Sequence, residues 1–190
     1  LYEIAILKEI ADRIGYSLDV EKIVDIITGS LRNLFPYSTA SSLLVNQDQL
    51  TFKTYVEENI SHNFVNDVKT RMLSSLTALL SQPLPQKINE SISGVVLDDN
   101  NKNSLASFFN IPLVINERVM GLINVSSQKI GLYKQEEMTI LYRITNQASQ
   151  AVSKLESILE TEKGKIMAMI SSLADGVFMV DVDTKLAVIN

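Results

Sequence analysis

The sequence predicts an α+β fold, and three observations carry that expectation. Apolar residues recur at helical spacing in four separate stretches. β-Branched, apolar and aromatic residues gather in two pairs of short runs, each joined by a polar turn. The longest helical stretch follows the second pair and leads into one more strand, turn and strand. With 46% apolar and 21% charged residues, 7 Gly and 4 Pro, the balance is that of a chain able to bury a core. A length of 190 residues allows one full core and part of a second.

The first helical stripe holds Ile4, Leu7, Ile10, Ala11 and Ile14, with Gly15 as a natural stop. Ser17 or Asp19 can accept from free backbone N–H groups and open a second helix, with Val20, Ile23, Ile27, Leu31 and Leu34 on one face and Pro36 closing it. Residues 39–45 and 50–56 then read as a hairpin around a polar turn. Phe64, Val65, Val68, Met72, Leu76, Leu79 and Leu80 mark a third helix over residues 63–80, ended by Pro83 and Pro85. Residues 84–88 are a short extended piece.

Residues 89–107 have one short apolar run, 95–97, among Asn, Asp, Ser and Lys, and read as a long loop of functional or mobile character. Strands over 108–115 and 119–127 follow, joined at Asn116, Glu117 and Arg118. Pro112 lacks a ladder donor and belongs at an edge or a bulge. From Lys134 to Lys163 there is neither Gly nor Pro, and Leu141, Ile144, Ala148, Ala151 and Leu155 alternate in steps of three and four, as a two-stranded coiled coil requires. Beyond Leu155 the stripe passes to Leu159, Ile166, Ile170 and Leu173 with Glu162 and Lys163 near its centre, a slip in register. Residues 176–182 and 186–190 alternate as strands around a turn at 183–185.

Composition excludes several chemistries. The absence of Cys removes disulfides, thiolate zinc sites, nucleophilic thiols and thioether-linked chromophores. A net charge of −5 without a Lys/Arg cluster lacks the electrostatic footprint of nucleic-acid binding. No apolar run is long enough to span a bilayer and no signal-peptide pattern opens the chain, so a cytoplasmic setting is expected, with any membrane anchor elsewhere in a full-length protein. The chain opens on Leu1 and stops at Asn190 inside a strand run, so further sequence on both sides is expected.

The order of elements resembles the GAF family from about Ile4 to Leu155. The segment SLASFFNIPLVINERVMGLINV is similar to the family's last two strands, where an apolar strand leads into Pro112 and Leu113 and, past a polar turn, Val119, Met120, Gly121 and Leu122 open the final strand. The segment YKQEEMTILYRITNQASQAV is similar to its closing helix. The terminal IMAMISSLADGVFMVDVDTKLAVIN resembles the start of a PAS domain, with Leu173, Asp175, Gly176, Asp181 and Asn190 matching its pattern. The resemblance implies a GAF-like antiparallel sheet of five or six strands, with a helical layer on one face and a lid, residues 89–107, over a pocket on the other. It divides the chain into a GAF-like sensory domain at 1–155, a signalling-helix linker at 156–172 and a truncated PAS-like start with its partial hairpin at 173–190.

Such a tandem implies an input module of a bacterial sensor histidine kinase in a two-component system. The same arrangement suits a diguanylate cyclase or a sigma-54 activator, and a second class of reading is a ligand-free GAF scaffold for dimerisation. No catalytic residue, metal site or cofactor is expected. The Asn, Lys, Phe, Asp, Glu motif of cyclic-nucleotide-binding members cannot be assembled, and bilin attachment and sulfoxide-reductase chemistry fall with the missing Cys.

The partners expected are a second copy of the chain, a small-molecule ligand and a downstream kinase domain in the same chain, with no nucleic acid. The dimer seam is placed on Leu141, Ile144, Ala148, Ala151 and Leu155. The ligand-binding residues are placed at Tyr55, Phe108, Asn110 and Asn124, because a mostly apolar pocket needs a few placed polar groups. Phe52 and Phe109 join Tyr55 and Phe108 as aromatic candidates. Neighbouring residues on a strand face opposite ways, so one of Phe108 and Phe109 is expected in the core and the other at the lid or in solvent. His62, the only histidine, reads as a surface residue at a helix cap, and Asp98 and Asp99 read as a solvated loop tip.

Overall fold

Helix α1, Val20–Leu31, takes shape because its apolar residues fall on one stripe, and Ile23, Val24, Ile27 and Leu31 on that stripe are fully buried. These observations come from a computed structural model that describes residues 20–34, 36–46, 48–80, 83–98, 104–172, 178–180 and 186–189. For Ala151, Leu155, Glu156 and the last two of those segments it describes the backbone alone. The helix expected over 2–14 and the cap at Ser17 or Asp19 lie outside the described residues. The chain divides into two units, Leu1–Ser153 and Lys154–Asn190.

In the first unit a five-stranded sheet has the order β4-β2-β1-β7-β6. Strands β1, Thr39–Val45, and β2, Leu50–Val56, form the expected hairpin, with Leu43 opposite Phe52. Strands β6, Ser107–Ile115, and β7, Arg118–Ser127, form the second, and β7 also pairs with β1 so that Ser41 faces Asn124. Pro112 sits in the edge strand β6, where its missing N–H costs no ladder bond. Met120 is the extra residue of a bulge, since Leu113 pairs with Gly121 and Val114 with Val119.

Two expectations about the sheet are corrected. Strand β4, Ile88–Ser93, pairs parallel with β2, so the sheet is mixed rather than antiparallel throughout. It follows a helical crossover from β2, the connection that parallel neighbours need. This strand also occupies the start of the stretch read as a loop over 89–107. All of Asn89 to Ser93 are exposed at the sheet edge, so no face has to be apolar and the alternation that betrays a strand is missing. Two short strands, β3, Ile60–Ser61, and β5, Val96–Leu97, pair beside the sheet. Residues 99–103 of the expected lid lie outside the described residues.

Helix α2, His62–Leu79, is capped by Ser61, whose Oγ accepts from the Phe64 N–H at 3.3 Å. His62 is exposed at its first turn. Helix α3, Gln135–Ser171, runs for 37 residues. The sheet therefore has a core on each face. One joins α1 to Leu141, Ile144, Ala148 and Val152 of α3 across Ala40, Leu44, Ile111, Leu113, Ile123 and Val125. The other packs Phe64, Val65, Val68, Met72 and Leu76 of α2 on Leu43, Leu50, Phe52 and Leu122. A helix thus covers the face on which the resemblance places a pocket and a lid.

The turn of the β6–β7 hairpin places Asn116 at φ 48° and Glu117 at φ 62°. Both central residues in the left-handed region match the twist of a two-residue hairpin, yet Glu carries the Cβ penalty that Gly avoids. Glu117→Gly is expected to stabilise the domain by about 0.5–1 kcal/mol, visible as a rise of a few degrees in Tm. A fall in Tm would contradict the assignment of this turn.

In the second unit, strands β8, Phe178–Val180, and β9, Leu186–Ile189, pair antiparallel. The PAS-pattern residues Leu173, Asp175, Gly176, Asp181 and Asn190, and the turn at 183–185, lie outside the described residues.

Candidate functional site

The strands that form this sheet leave an unexpected row of polar side chains on one of its faces. Because residues alternate along a strand, Thr39 and Ser41 of β1 share a face with Leu43, which packs against α2. Register places Thr54 and Asn124 on either side of Ser41, and Asn110 beyond Asn124. Ser126 stands beside Thr39 in the next row, with Phe108 beyond it. Thr39, Ser41, Thr54, Asn124 and Ser126 are all buried, while Asn110 and Phe108 are half-buried.

Hydrogen bonds knit most of this face together. The hydroxyls of Ser41 and Thr54 are 2.6 Å apart. Asn124 Nδ2 donates to Asn110 Oδ1 at 2.9 Å and to the Phe109 carbonyl at 3.0 Å, and the Ser126 hydroxyl donates to Asn124 Oδ1. Asn110 Nδ2 donates to Ser75 Oγ of α2 at 2.9 Å, tying sheet to helix. Thr39 Oγ1 is buried and has no hydrogen-bond partner among the described residues. Leaving such a hydroxyl unsatisfied costs about 1–3 kcal/mol, and a row of this kind in place of apolar packing stabilises little unless every member is satisfied.

Of the four residues expected to bind a ligand, three come together and one does not. Phe108, Asn110 and Asn124 share the α2 face. Tyr55 pairs with Ala40 and lies on the opposite face, toward α1, where burial and then the Asp25 carboxylate push its phenol pKa up. Phe52 is fully buried under α2. Phe108 and Phe109 both pack, one against each core, because the sheet is covered on both faces. A groove of about 920 Å³, whose lining includes Val45, Leu79, Leu80, Pro83, Val119 and Met120, contains none of the four. Thr39, Ser41, Thr54 and Ser126 were not among the expected site residues. Their signal was small polar residues at period two within otherwise apolar strands.

The expected dimer seam is also corrected. Leu141, Ile144 and Ala148 have no more than 1% of their surface exposed and belong to the core between α1, the sheet and α3, so a second copy cannot reach them. The three-and-four spacing that suggests a coiled coil equally describes a helix packed on its own domain. The side chains of Ala151 and Leu155 lie outside the described residues. Exposed apolar residues occur further along α3, at Ile158, Leu159, Ile166, Met167 and Met169. Asp98 is exposed and Asp99 lies outside the described residues. Among the described residues no group of three or more His, Cys, Asp or Glu is placed to hold a metal, and no helix is long and apolar enough to cross a membrane.

The profile of the GAF domain matches residues 17–153. The chain belongs to the GAF family. The GAF domain of a phosphoenolpyruvate-protein phosphotransferase from Acinetobacter is similar at 13% identity and a TM-score of 0.48, over 83% of this chain and 96% of that one. The corresponding GAF domain from Coxiella burnetii is similar at 10% identity and a TM-score of 0.49, over 82% and 95%. Residues 122 to 287 of a methyl-accepting chemotaxis protein are similar at 16% identity and a TM-score of 0.48, over 78% and 98%. No curated protein matches the chain. GAF domains are signalling input modules, and a mixed five-stranded sheet flanked by helices and followed by a long helix is the form that this member takes.

Proposed function

We propose that this GAF chain is a sensory input module of a bacterial signal-transduction protein, which reads a small molecule on the polar face beneath α2 and relays the result along α3 to a PAS domain and a histidine kinase in the same chain. The carrying observation is the division of labour along α3. Its first half supplies Leu141, Ile144, Ala148 and Val152 to the domain core, and the same continuous helix later bears an exposed apolar stripe. A change in core packing thus acts on a helix that has unburied surface to offer. Leu159 and Ile166 are seven residues apart, and Met169 follows three residues later, a heptad spacing suited to pairing with a second copy. Glu162 falls at the seam position between them and forms an ion pair with Lys165 at 2.7 Å. A charge at that place weakens the pairing and makes it adjustable, as a relay requires. In this reading the chain performs no catalysis and works in the cytoplasm.

A second reading, a scaffold without a ligand, is favoured by the filling of the α2 face with Phe64, Val68 and Met72, each nearly fully buried. Pairing through α3 is common to both readings. Sedimentation of the chain and of Ile166→Asp tests it: a dimer for the parent and a folded monomer for the variant are expected. A parent that stays monomeric at high concentration, or a variant dimer of unchanged strength, removes the relay.

A further inference from the structure

We infer that residues 161–165 form a soft joint in α3, a stretch that unwinds in part of the single chains and is held helical when two copies pair. The inference rests on the relay reading above and concerns where along α3 the pairing is adjusted.

Gly164 points to the joint, because no feature of the described structure requires a glycine there. Among the described glycines only Gly94 and Gly131 have positive φ, so Gly164 is not kept for a conformation that other residues avoid. A Cβ at Gly164 would meet no atom within 4 Å, whereas one at Gly121 would collide with the Leu43 carbonyl oxygen. In the heptad that sets Leu159 and Ile166 on one line, Gly164 falls five positions after Leu159, on the side turned away from the pairing stripe. It therefore does not serve to let two helices approach. What remains is its cost to the helix, roughly fivefold against Ala in the balance between helical and unwound backbone.

The neighbours of Gly164 loosen the helix further. Thr161 is β-branched, and its hydroxyl donates to the Ser157 carbonyl at 2.8 Å, a back-bond of the kind that bends helices. Glu162 pairs with Lys165 at 2.7 Å, but both side chains lie in water, where such a pair holds little. Packing within the chain does not offset these costs, since every residue from 157 to 169 is exposed. A helix without packing relies on its own propensity, and a short one is marginal in water. Pairing reverses the balance. Leu159, Ile166 and Met169 meet a second copy on one stripe only if residues 161–165 between them are helical. Any input that changes the helical population of these residues therefore shifts the pairing.

Gly164→Ala adds no contact within the chain and raises helix propensity at the joint, so it tests the inference on the 190-residue chain. Amide exchange over residues 160–168 is expected to slow about fivefold in the monomer. Sedimentation should show a dimer tightened by up to about 25-fold, fivefold for each of its two helices. Gly29→Ala in α1 is the control. A Cβ there also meets no atom within 4 Å, but Ile23, Ile27 and Leu31 hold α1 on the core. Its dimer should match the parent within about twofold. Unchanged exchange and unchanged dimer strength in Gly164→Ala overturn the joint, as does equal tightening by both variants. A dimer weakened by Gly164→Ala overturns it too, by placing Gly164 in the seam. Slower exchange in Gly164→Ala, with parent and variant monomeric at every concentration, supports the joint and overturns the relay reading.

Discussion

Leu141→Asp is expected to abolish the cooperative thermal transition of the GAF domain, not to convert a dimer into a monomer. Leu141 is fully buried between α1, the sheet and α3. Truncating such a leucine costs about 2–5 kcal/mol, and an unpaired carboxylate in its place adds several more. A whole domain is held by only about 5–15 kcal/mol. Circular dichroism melts of Leu141→Asp beside Ile166→Asp separate the two halves of α3. Ile166 is 53% exposed, so its variant should melt near the parent temperature. A well-folded Leu141→Asp variant, altered only in sedimentation, would return Leu141 to the dimer seam.

Gly121→Ala is expected to destabilise the same domain by about 3 kcal/mol, although it adds a single methyl group. Gly121 lies in β7, opposite Leu44 of β1 and Leu113 of β6. A Cβ built there would collide with the Leu43 carbonyl oxygen and stand 2.9 Å from Leu44 Cδ2 and 3.0 Å from Leu44 Cα. Two of these three atoms are backbone, and the strand that carries them is the centre of the sheet, paired on both edges. It can yield only by breaking ladder bonds. At about 2–4 °C per kcal/mol for a chain of this size, the expected fall in Tm is about 10 °C. Urea unfolding gives the free energy directly, and a loss below about 0.5 kcal/mol would mean that β1 and β7 are not in such close approach.

What the sequence made legible follows from where each residue is buried. Strands β1, β2 and β7 and the stripes of α1 and α2 announce themselves because one or both of their faces must be apolar. Strand β4 has no such obligation: its outer residues meet water, so Asn89, Glu90, Ser91 and Ser93 carry no periodic mark. The parallel pairing of β4 with β2 depends on the path of the chain through α2, which no local pattern records. Leu141, Ile144 and Ala148 were visible as a stripe, but a stripe states only that something covers it. Here the cover is the domain's own α1 and sheet. Strand alternation puts Phe108 and Asn110 on one face, whereas setting Asn124 beside them and Tyr55 on the other face required the pairings of β6 with β7 and of β1 with β2, the latter placing Tyr55 toward Asp25.

The order β4-β2-β1-β7-β6 has a consequence for synthesis. The central strand β1 is made early, but its second neighbour is β7, so Thr39 must wait for Ser126. At about 5–20 residues per second the delay is roughly 4–17 s. During it, β1 is the open edge of a partial sheet made of β4, β2 and β1, and an uncovered edge strand is a template for wrong pairing. Leu43 and Phe52 can be covered by α2 as soon as it is made, but Leu44, buried in the finished domain on the face shared with α3, stays incompletely covered on the nascent chain until β7 arrives and α3 follows. Ribosome-bound chains stalled before residue 118 should therefore recruit holding chaperones, and chains stalled after the whole of the first unit has left the exit tunnel should release them.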